Sequence, residues 1–115
     1  RWEPRRFDEV VGQRLVIVGW GPIGQEVARL CTALGLEITV ARRAALGDEQ
    51  YPVVPLDRLT DALVDADWVV VALPLTAETR GMFSAEVMAK LPSRARFINV
   101  GRGGKKLPSW WKTEA

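Results

Sequence analysis

Leu15-Val16-Ile17-Val18, running directly into Gly19-Trp20-Gly21-Pro22-Ile23-Gly24, reads as a strand that ends in a glycine turn and opens a helix. The segment that follows, Pro22 to Leu34, carries Ile23, Val27, Leu30, Cys31 and Leu34 at helical spacing. Strand, tight turn and helix start, in that order, make an anion site. The first turn of a helix presents unpaired backbone N–H groups and the positive end of the helix dipole. Each glycine has a separate role in such a site. Gly19 allows the tight turn, Gly21 lets the backbone approach a pyrophosphate with no Cβ between them, and Gly24 lets the helix pack close to the strand. Pro22 suits the first helical position, where its missing N–H removes nothing. With strand and helix both in place, the motif points to dinucleotide binding.

Working outward, Gly35 is placed as the residue that ends the first helix. Leu36 to Ala41 reads as a second strand, Arg42 to Pro52 as a polar loop, and Val53-Val54 as a very short third strand. Leu56, Leu59, Leu63 and Val64 form a helix face ending near Ala66. Trp68 to Leu73 is an unbroken apolar run, as expected of a parallel strand buried on both faces, and Pro74 stops it. Ser84 is an N-cap candidate, with Glu86 in the first turn and Val87, Met88 and Leu91 turned inward. Arg96 to Val100 is the fifth strand. This alternation predicts an α/β chain with a doubly wound, Rossmann-type parallel sheet in three layers, α/β/α. The expected strand order is 3-2-1-4-5, with the switch point between strands one and four and the sheet incomplete after strand five. Right-handed crossovers then bring the loops after strands one, two, four and five to one edge.

Residues 1–11 read as a lead-in segment, 12–104 as the nucleotide-binding unit, and 105–115, containing Lys105-Lys106-Leu107-Pro108, as an off-pattern tail. A length of 115 residues bounds the chain to one domain, and 48% hydrophobic with 26% charged residues is ordinary for a globular protein. A net charge of +2 with scattered cations gives no nucleic-acid surface. The apolar runs are strand-sized, so no membrane partner is expected. No signal-peptide pattern opens the chain, and a cytoplasmic location is the expectation. Cys31 is the one cysteine and reads as a small buried helix residue. The sequence contains no histidine, and no metal site is assigned.

The end of strand two bears on the choice of cofactor. Sites preferring NAD usually place an acid there, bonded to the ribose 2′-hydroxyl. Here the strand ends in Ala41-Arg42-Arg43, with Arg42 18 residues beyond Gly24 and no acid before Asp48. A carboxylate would repel a 2′-phosphate, whereas a guanidinium grips it with paired N–H bonds. NADP is therefore preferred over NAD, with Arg42 as the contact and Arg43 in support.

Three motifs, in this order and spacing, carry a family resemblance: Gly19-Trp20-Gly21-Pro22-Ile23-Gly24, Leu73-Pro74-Leu75-Thr76-Ala77-Glu78-Thr79-Arg80-Gly81 and Ile98-Asn99-Val100-Gly101-Arg102-Gly103-Gly104. Together they resemble the cofactor domain of the D-isomer-specific 2-hydroxyacid dehydrogenases, the group holding glyoxylate/hydroxypyruvate reductases and phosphoglycerate dehydrogenases. The resemblance implies that Pro22 and Ile23 sit against the pyrophosphate. It implies that Leu73, Pro74 and Thr79 line the adenosine and nicotinamide side, and that the backbone at Val100-Gly101 meets the nicotinamide. Arg102 matches the family's catalytic arginine, which holds the carboxylate of a small 2-ketoacid or 2-hydroxyacid and polarises the carbonyl that receives hydride. A rigid fork of donors suits both tasks. Full-length members are often homodimers. The resemblance also implies that the substrate lobe and the family's catalytic Glu and His lie outside this sequence, so a truncated or frameshifted gene, or an excised piece, is expected.

Two other functions fit parts of the sequence. A free-standing, non-catalytic NADP-binding module would show the same motifs. An S-adenosylmethionine-dependent methyltransferase has a similar glycine loop, but its adenosine ribose is normally held by an acid, and Arg42 stands against it.

Overall fold

Val16 and Val18 face one side of a parallel sheet while Leu15 and Ile17 face the other, and all four are buried. That double burial is why the first strand is apolar at every position rather than at alternate ones. The computed structural model describes residues 10–43, 50–73, 81 and 83–100. The described elements are β1 (Arg14–Val18), α1 (Pro22–Ala33), β2 (Glu37–Arg42), β3 (Val53–Pro55), a 3₁₀ turn (Leu56–Arg58), α2 (Leu59–Leu63), β4 (Trp68–Val71), α3 (Ala85–Met88) and β5 (Arg96–Asn99). The five strands form one sheet in the order β3-β2-β1-β4-β5, and every pairing is parallel. β1 lies between β2 and β4, with Val18 opposite Ala41 on one side and Val71 on the other. The predicted order and switch point are those observed.

One face of the sheet packs Val16, Val18, Val69 and Val71 against Leu59 and Leu63 of α2, with Phe83 buried beside them. On the opposite face, Leu15, Ile17, Ile38, Val40 and Val70 meet α1 through Ala28. Helices thus cover both faces, giving three layers.

The boundaries differ from the sequence reading in three informative places. Arg42 is the last residue of β2, paired with Pro55, rather than the first residue of a loop. The helix expected from Leu56 to Ala66 divides into the 3₁₀ turn and the five-residue α2, and Val64 is exposed. On α1, the line of contact with the sheet runs through Gly24 and Ala28, flanked by half-buried Val27 and Cys31, whereas Ile23, Leu30 and Leu34 are exposed. Close approach of helix to strand demands small side chains on the contact line. The large apolar residues are displaced to the flanks.

Two caps follow the sequence. The Gly35 N–H donates to the Thr32 carbonyl and the Leu36 N–H to the Cys31 carbonyl, with Gly35 at φ +95°, the left-handed conformation that ends the helix. The Ser84 hydroxyl accepts the Val87 N–H at 3.3 Å at the start of α3.

Among the described residues β5 lies at the sheet edge beyond β4, with Ile98 41% exposed on the α1 side. The N-terminal edge of the sheet is tied by Asp67. Its carboxylate accepts the backbone N–H of Arg14 at 2.9 Å and Nε of Arg94 at 2.5 Å, joining β1, β4 and the approach to β5. Both bonds stabilise the carboxylate and hold its pKa below the ordinary value of 3.8, the Arg14 N–H first and Arg94 second.

Candidate functional site

Because all five strands run the same way, their C-terminal ends share one edge, and three backbone hydrogen bonds lace that edge together. The Gly19 N–H donates to the Ala41 carbonyl, the Ala72 N–H to the Val18 carbonyl, and the Val100 N–H to the Val71 carbonyl, each at 2.8 Å. The glycine turn, the arginine end of β2, the residues after β4 and the residues after β5 are therefore held in one row. This is where ligands sit in open parallel sheets, at the point where the strand order reverses.

The three glycines of the turn differ in what surrounds them. Gly19 has φ +101°, and a Cβ there would stand 2.9 Å from Cγ and Cδ2 of Leu73. A Cβ on Gly24 would stand 2.9 Å from the Gly19 carbonyl oxygen and 3.3 Å from Cγ2 of Ile17. Packing of the chain's own atoms fixes both residues as glycine. Gly21 is different, since among the described residues nothing comes within 4 Å of a Cβ there. Packing within the described part of the chain does not by itself require a glycine at this position.

Gly21 is also the N-cap of α1, with extended backbone, φ −118° and ψ −165°, and its carbonyl accepts the Gln25 N–H at 2.9 Å. Among the described residues no side chain caps this helix end, and its first turn carries no acid. Pro22 stands at the first helical position, so the N–H groups next presented are those of Ile23 and Gly24. The helix is twelve residues long, so its dipole is fully developed at this end. The arrangement favours a doubly acidic, extended group such as a pyrophosphate.

Arg42 follows Ile38 and Val40 in the alternation of β2, so it leaves the strand on the α1 side and is half-buried there, while Arg43 is exposed. Neither residue has an acid for a neighbour in sequence within the described part of this strand end. Leu73 packs against Gly19 and the α2-side core, and Val100 packs into the α1-side core. Pro74, Thr79, Gly101 and Arg102 lie outside the described residues. The structure thus brings together Gly19, Gly21, Pro22, Ile23, Gly24, Arg42, Arg43, Leu73 and Val100 at one edge. Among the described residues no group of three or more acidic, cysteine or histidine side chains could hold a metal ion.

Sequence reasoning passed over Trp20 and Tyr51. The Trp20 ring meets the Tyr51 ring edge to face, centroids 6.0 Å apart and planes at 72°. The available signal was an aromatic residue inside the glycine motif, a position where only the glycines were read. An open groove of about 460 Å³, lined by residues including Arg14, Glu37, Thr39 and Tyr51, contains none of the predicted site residues. Cys31 is half-buried and its burial pushes the thiol pKa up, the opposite of an activated cysteine.

Residues 1–105 match the family model described as D-isomer specific 2-hydroxyacid dehydrogenase, NAD binding domain. The chain is 35% identical over 105 residues to a glyoxylate reductase of Thermococcus kodakarensis, covering 89% of this chain and 32% of that protein. It is 33% identical over 106 residues to a hydroxypyruvate reductase of Thermotoga maritima, covering 90% and 34%. Among solved structures, the NADPH-dependent glyoxylate/hydroxypyruvate reductase of Sinorhizobium meliloti, in complex with NADP and sulfate, superposes with a TM-score of 0.68. Its identity is 36%, covering 83% of this chain and 32% of that one. The phosphoglycerate dehydrogenase of Lactobacillus plantarum superposes with a TM-score of 0.73 at 35% identity, covering 82% and 31%. The chain spans about a third of the length of these relatives.

Proposed function

The chain belongs to the D-isomer specific 2-hydroxyacid dehydrogenase family, as its NAD-binding domain, and on that premise we propose that it is the NADP-preferring cofactor part of an oxidoreductase. The reaction proposed is hydride transfer between nicotinamide and a small 2-ketoacid or 2-hydroxyacid. The observation that carries the cofactor choice is Arg42 at the end of β2, on the α1 side, one residue from the carbonyl that accepts the Gly19 N–H. That carbonyl belongs to Ala41, so the arginine and the pyrophosphate-binding turn are neighbours by backbone connection.

When bound, the dinucleotide supplies the hydride or accepts it. The chain's own residues bind and orient it. The uncapped start of α1, with the N–H groups of Ile23 and Gly24, takes the pyrophosphate, and open space at Gly21 lets it come close. Arg42, with Arg43 in support, takes the 2′-phosphate through paired charge-assisted bonds. Leu73 and Val100 line the cleft, with Pro74, Thr79 and Gly101 continuing it by the sequence argument. Arg102, on the same argument, holds the substrate carboxylate and polarises the carbonyl. In chain terms, residues 12–104 form the cofactor unit, 1–11 lead into it and 105–115 depart from its pattern.

The proposal carries a cytoplasmic location and a homodimeric whole protein, with neither nucleic acid nor membrane as partner. No helix among the described residues is long and apolar enough to cross a membrane. Titration calorimetry of the chain with NADPH and with NADH tests the reading. Binding of NADPH in preference to NADH supports it, and absence of binding to both contradicts it.

A further inference from the structure

Val18 pairs with Ala41 on one side and Val71 on the other, and Val71 pairs with Asn99. One residue further along, the same register sets Arg42, Gly19, Ala72 and Val100 side by side across β2, β1, β4 and β5. The N–H groups of Gly19, Ala72 and Val100 hold that row through their bonds to Ala41, Val18 and Val71. Val70 faces the α1-side core, and Ala72, two residues on, puts its methyl on the same side. The methyl lies beneath the first turn of α1, 3.7 Å from where a Cβ on Gly24 would stand. Arg42 and Val100 also lie on the α1 side. The row therefore carries a guanidinium at β2, no side chain at β1, a half-buried methyl at β4 and a valine at β5.

We propose that Ala72 is a specificity-determining residue of the cofactor site, whose small side chain keeps open the path of the nicotinamide half from the start of α1 to Val100. The inference rests on the cofactor reading above. On that reading the 2′-phosphate lies at β2 and the nicotinamide at β5, three strand spacings apart, roughly 14 Å. The dinucleotide then passes over β1 and β4, where the row presents Gly19 and Ala72. Gly19 is fixed as glycine by its positive φ and by Leu73. Ala72 is confined by α1 on one side only, at Gly24. A longer side chain there extends away from Gly24, toward Val100 and the open edge, and enters the path of the ligand. The adenosine half, with its 5′-phosphate at the start of α1, ends before that point.

The test measures dissociation constants of NADPH, NADH and adenosine 2′,5′-bisphosphate, which lacks the nicotinamide half. It uses the wild-type chain, Ala72→Ser, Ala72→Val and Ala72→Leu, with a thermal melt for each. Ala72→Leu is expected to weaken NADPH and NADH by the same factor, roughly five- to a hundredfold, the range that the cost of overpacking corresponds to. Ala72→Val falls between it and wild type, and Ala72→Ser, nearly the same size as alanine, keeps all three affinities. The bisphosphate stays within about twofold throughout. Unchanged dinucleotide affinity in Ala72→Leu overturns the proposal. An equal loss of bisphosphate affinity also overturns it, because that result shows the first turn of α1 displaced rather than a path blocked. If Ala72→Leu does not fold, Ala72→Val decides on the same readouts, and failure of both to fold shows that packing alone selects alanine and overturns the proposal. A wild-type chain that binds none of the three ligands overturns the cofactor reading itself. That outcome is distinct from a wild type that binds all three and a Leu variant that still does.

Discussion

A Cβ placed on Gly24 would stand 2.9 Å from the carbonyl oxygen of Gly19, so the third glycine of the turn is packed directly on the first. No described residue comes within 4 Å of a Cβ placed on Gly21, between them. The motif therefore divides into two positions fixed by the fold and one that no described residue crowds.

That division gives a prediction in which stability and binding separate. Gly24→Ala is expected to destabilise the chain by about 1–3 kcal/mol through overpacking against backbone. Gly21→Ala should leave stability within about 0.5 kcal/mol, as a substitution facing open space does. Its NADPH affinity should nevertheless fall, because the added methyl occupies the phosphate approach. Denaturant melts and calorimetry on both variants check it. Equal destabilisation by the two changes would contradict the division.

Asp67 gives the pH prediction. Its carboxyl titrates below 3.8 in the fold because the Arg14 N–H and the Arg94 guanidinium bond to the charged form. A depressed carboxyl contributes stability that is present above its unfolded value and is lost as pH falls through its folded value. Asp67→Asn is thus expected to cost about 1–2 kcal/mol at pH 7, discounted for the exposed Arg94 partner. The gap between variant and wild type should narrow as pH drops below about 4. Melts at pH 7 and pH 3 read the gap, and a gap that widens in acid would contradict the assignment.

Phe83 is fully buried and meets Phe97 of β5 edge to face, centroids 5.5 Å apart and planes at 89°. Phe83→Ala should cost about 3–5 kcal/mol, a large share of a small domain's stability. Phe83→Leu should cost about 1.5 kcal/mol or less. Urea denaturation distinguishes them, and similar values for the two would show that the cavity collapses freely.

The 115-residue chain, mixed with NADPH and glyoxylate or hydroxypyruvate, should show no oxidation of the nicotinamide above background. Hydride transfer to a carbonyl needs a proton for the forming alkoxide, and the sequence contains no histidine to deliver it at neutral pH. Loss of a positioned acid typically removes about 10²–10⁴ in rate. Absorbance at the reduced-nicotinamide band follows the reaction. Robust turnover abolished by Arg102→Ala would reveal another proton donor.

The fold was legible because strand burial and glycine placement speak directly in sequence. Leu15 to Val18 and Trp68 to Val71 are apolar at successive positions, which only a strand covered on both faces requires. Gly19 marks positive φ at the turn from β1 into α1, and Gly35 marks it at the end of α1. The α1 contact line was misjudged because hydrophobicity draws attention to Ile23, Leu30 and Leu34, whereas close packing selects Gly24 and Ala28. At the candidate site, the distance of Arg42 from the motif is legible in the sequence, and the structure places that residue at the end of β2. The Trp20–Tyr51 contact is not legible, because it joins residues far apart in the chain and leaves no periodic signal.

The most direct test of the account is the ratio of NADPH to NADH dissociation constants before and after Arg42→Asp. The wild-type chain is expected to prefer NADPH by roughly ten- to a hundredfold, since charge-assisted bonds contribute about 1.5–3 kcal/mol each. The variant, with a carboxylate at the end of β2, should prefer NADH. Equal affinity for both cofactors before and after the change would contradict the assignment of Arg42, and with it the reading of this edge as an NADP site.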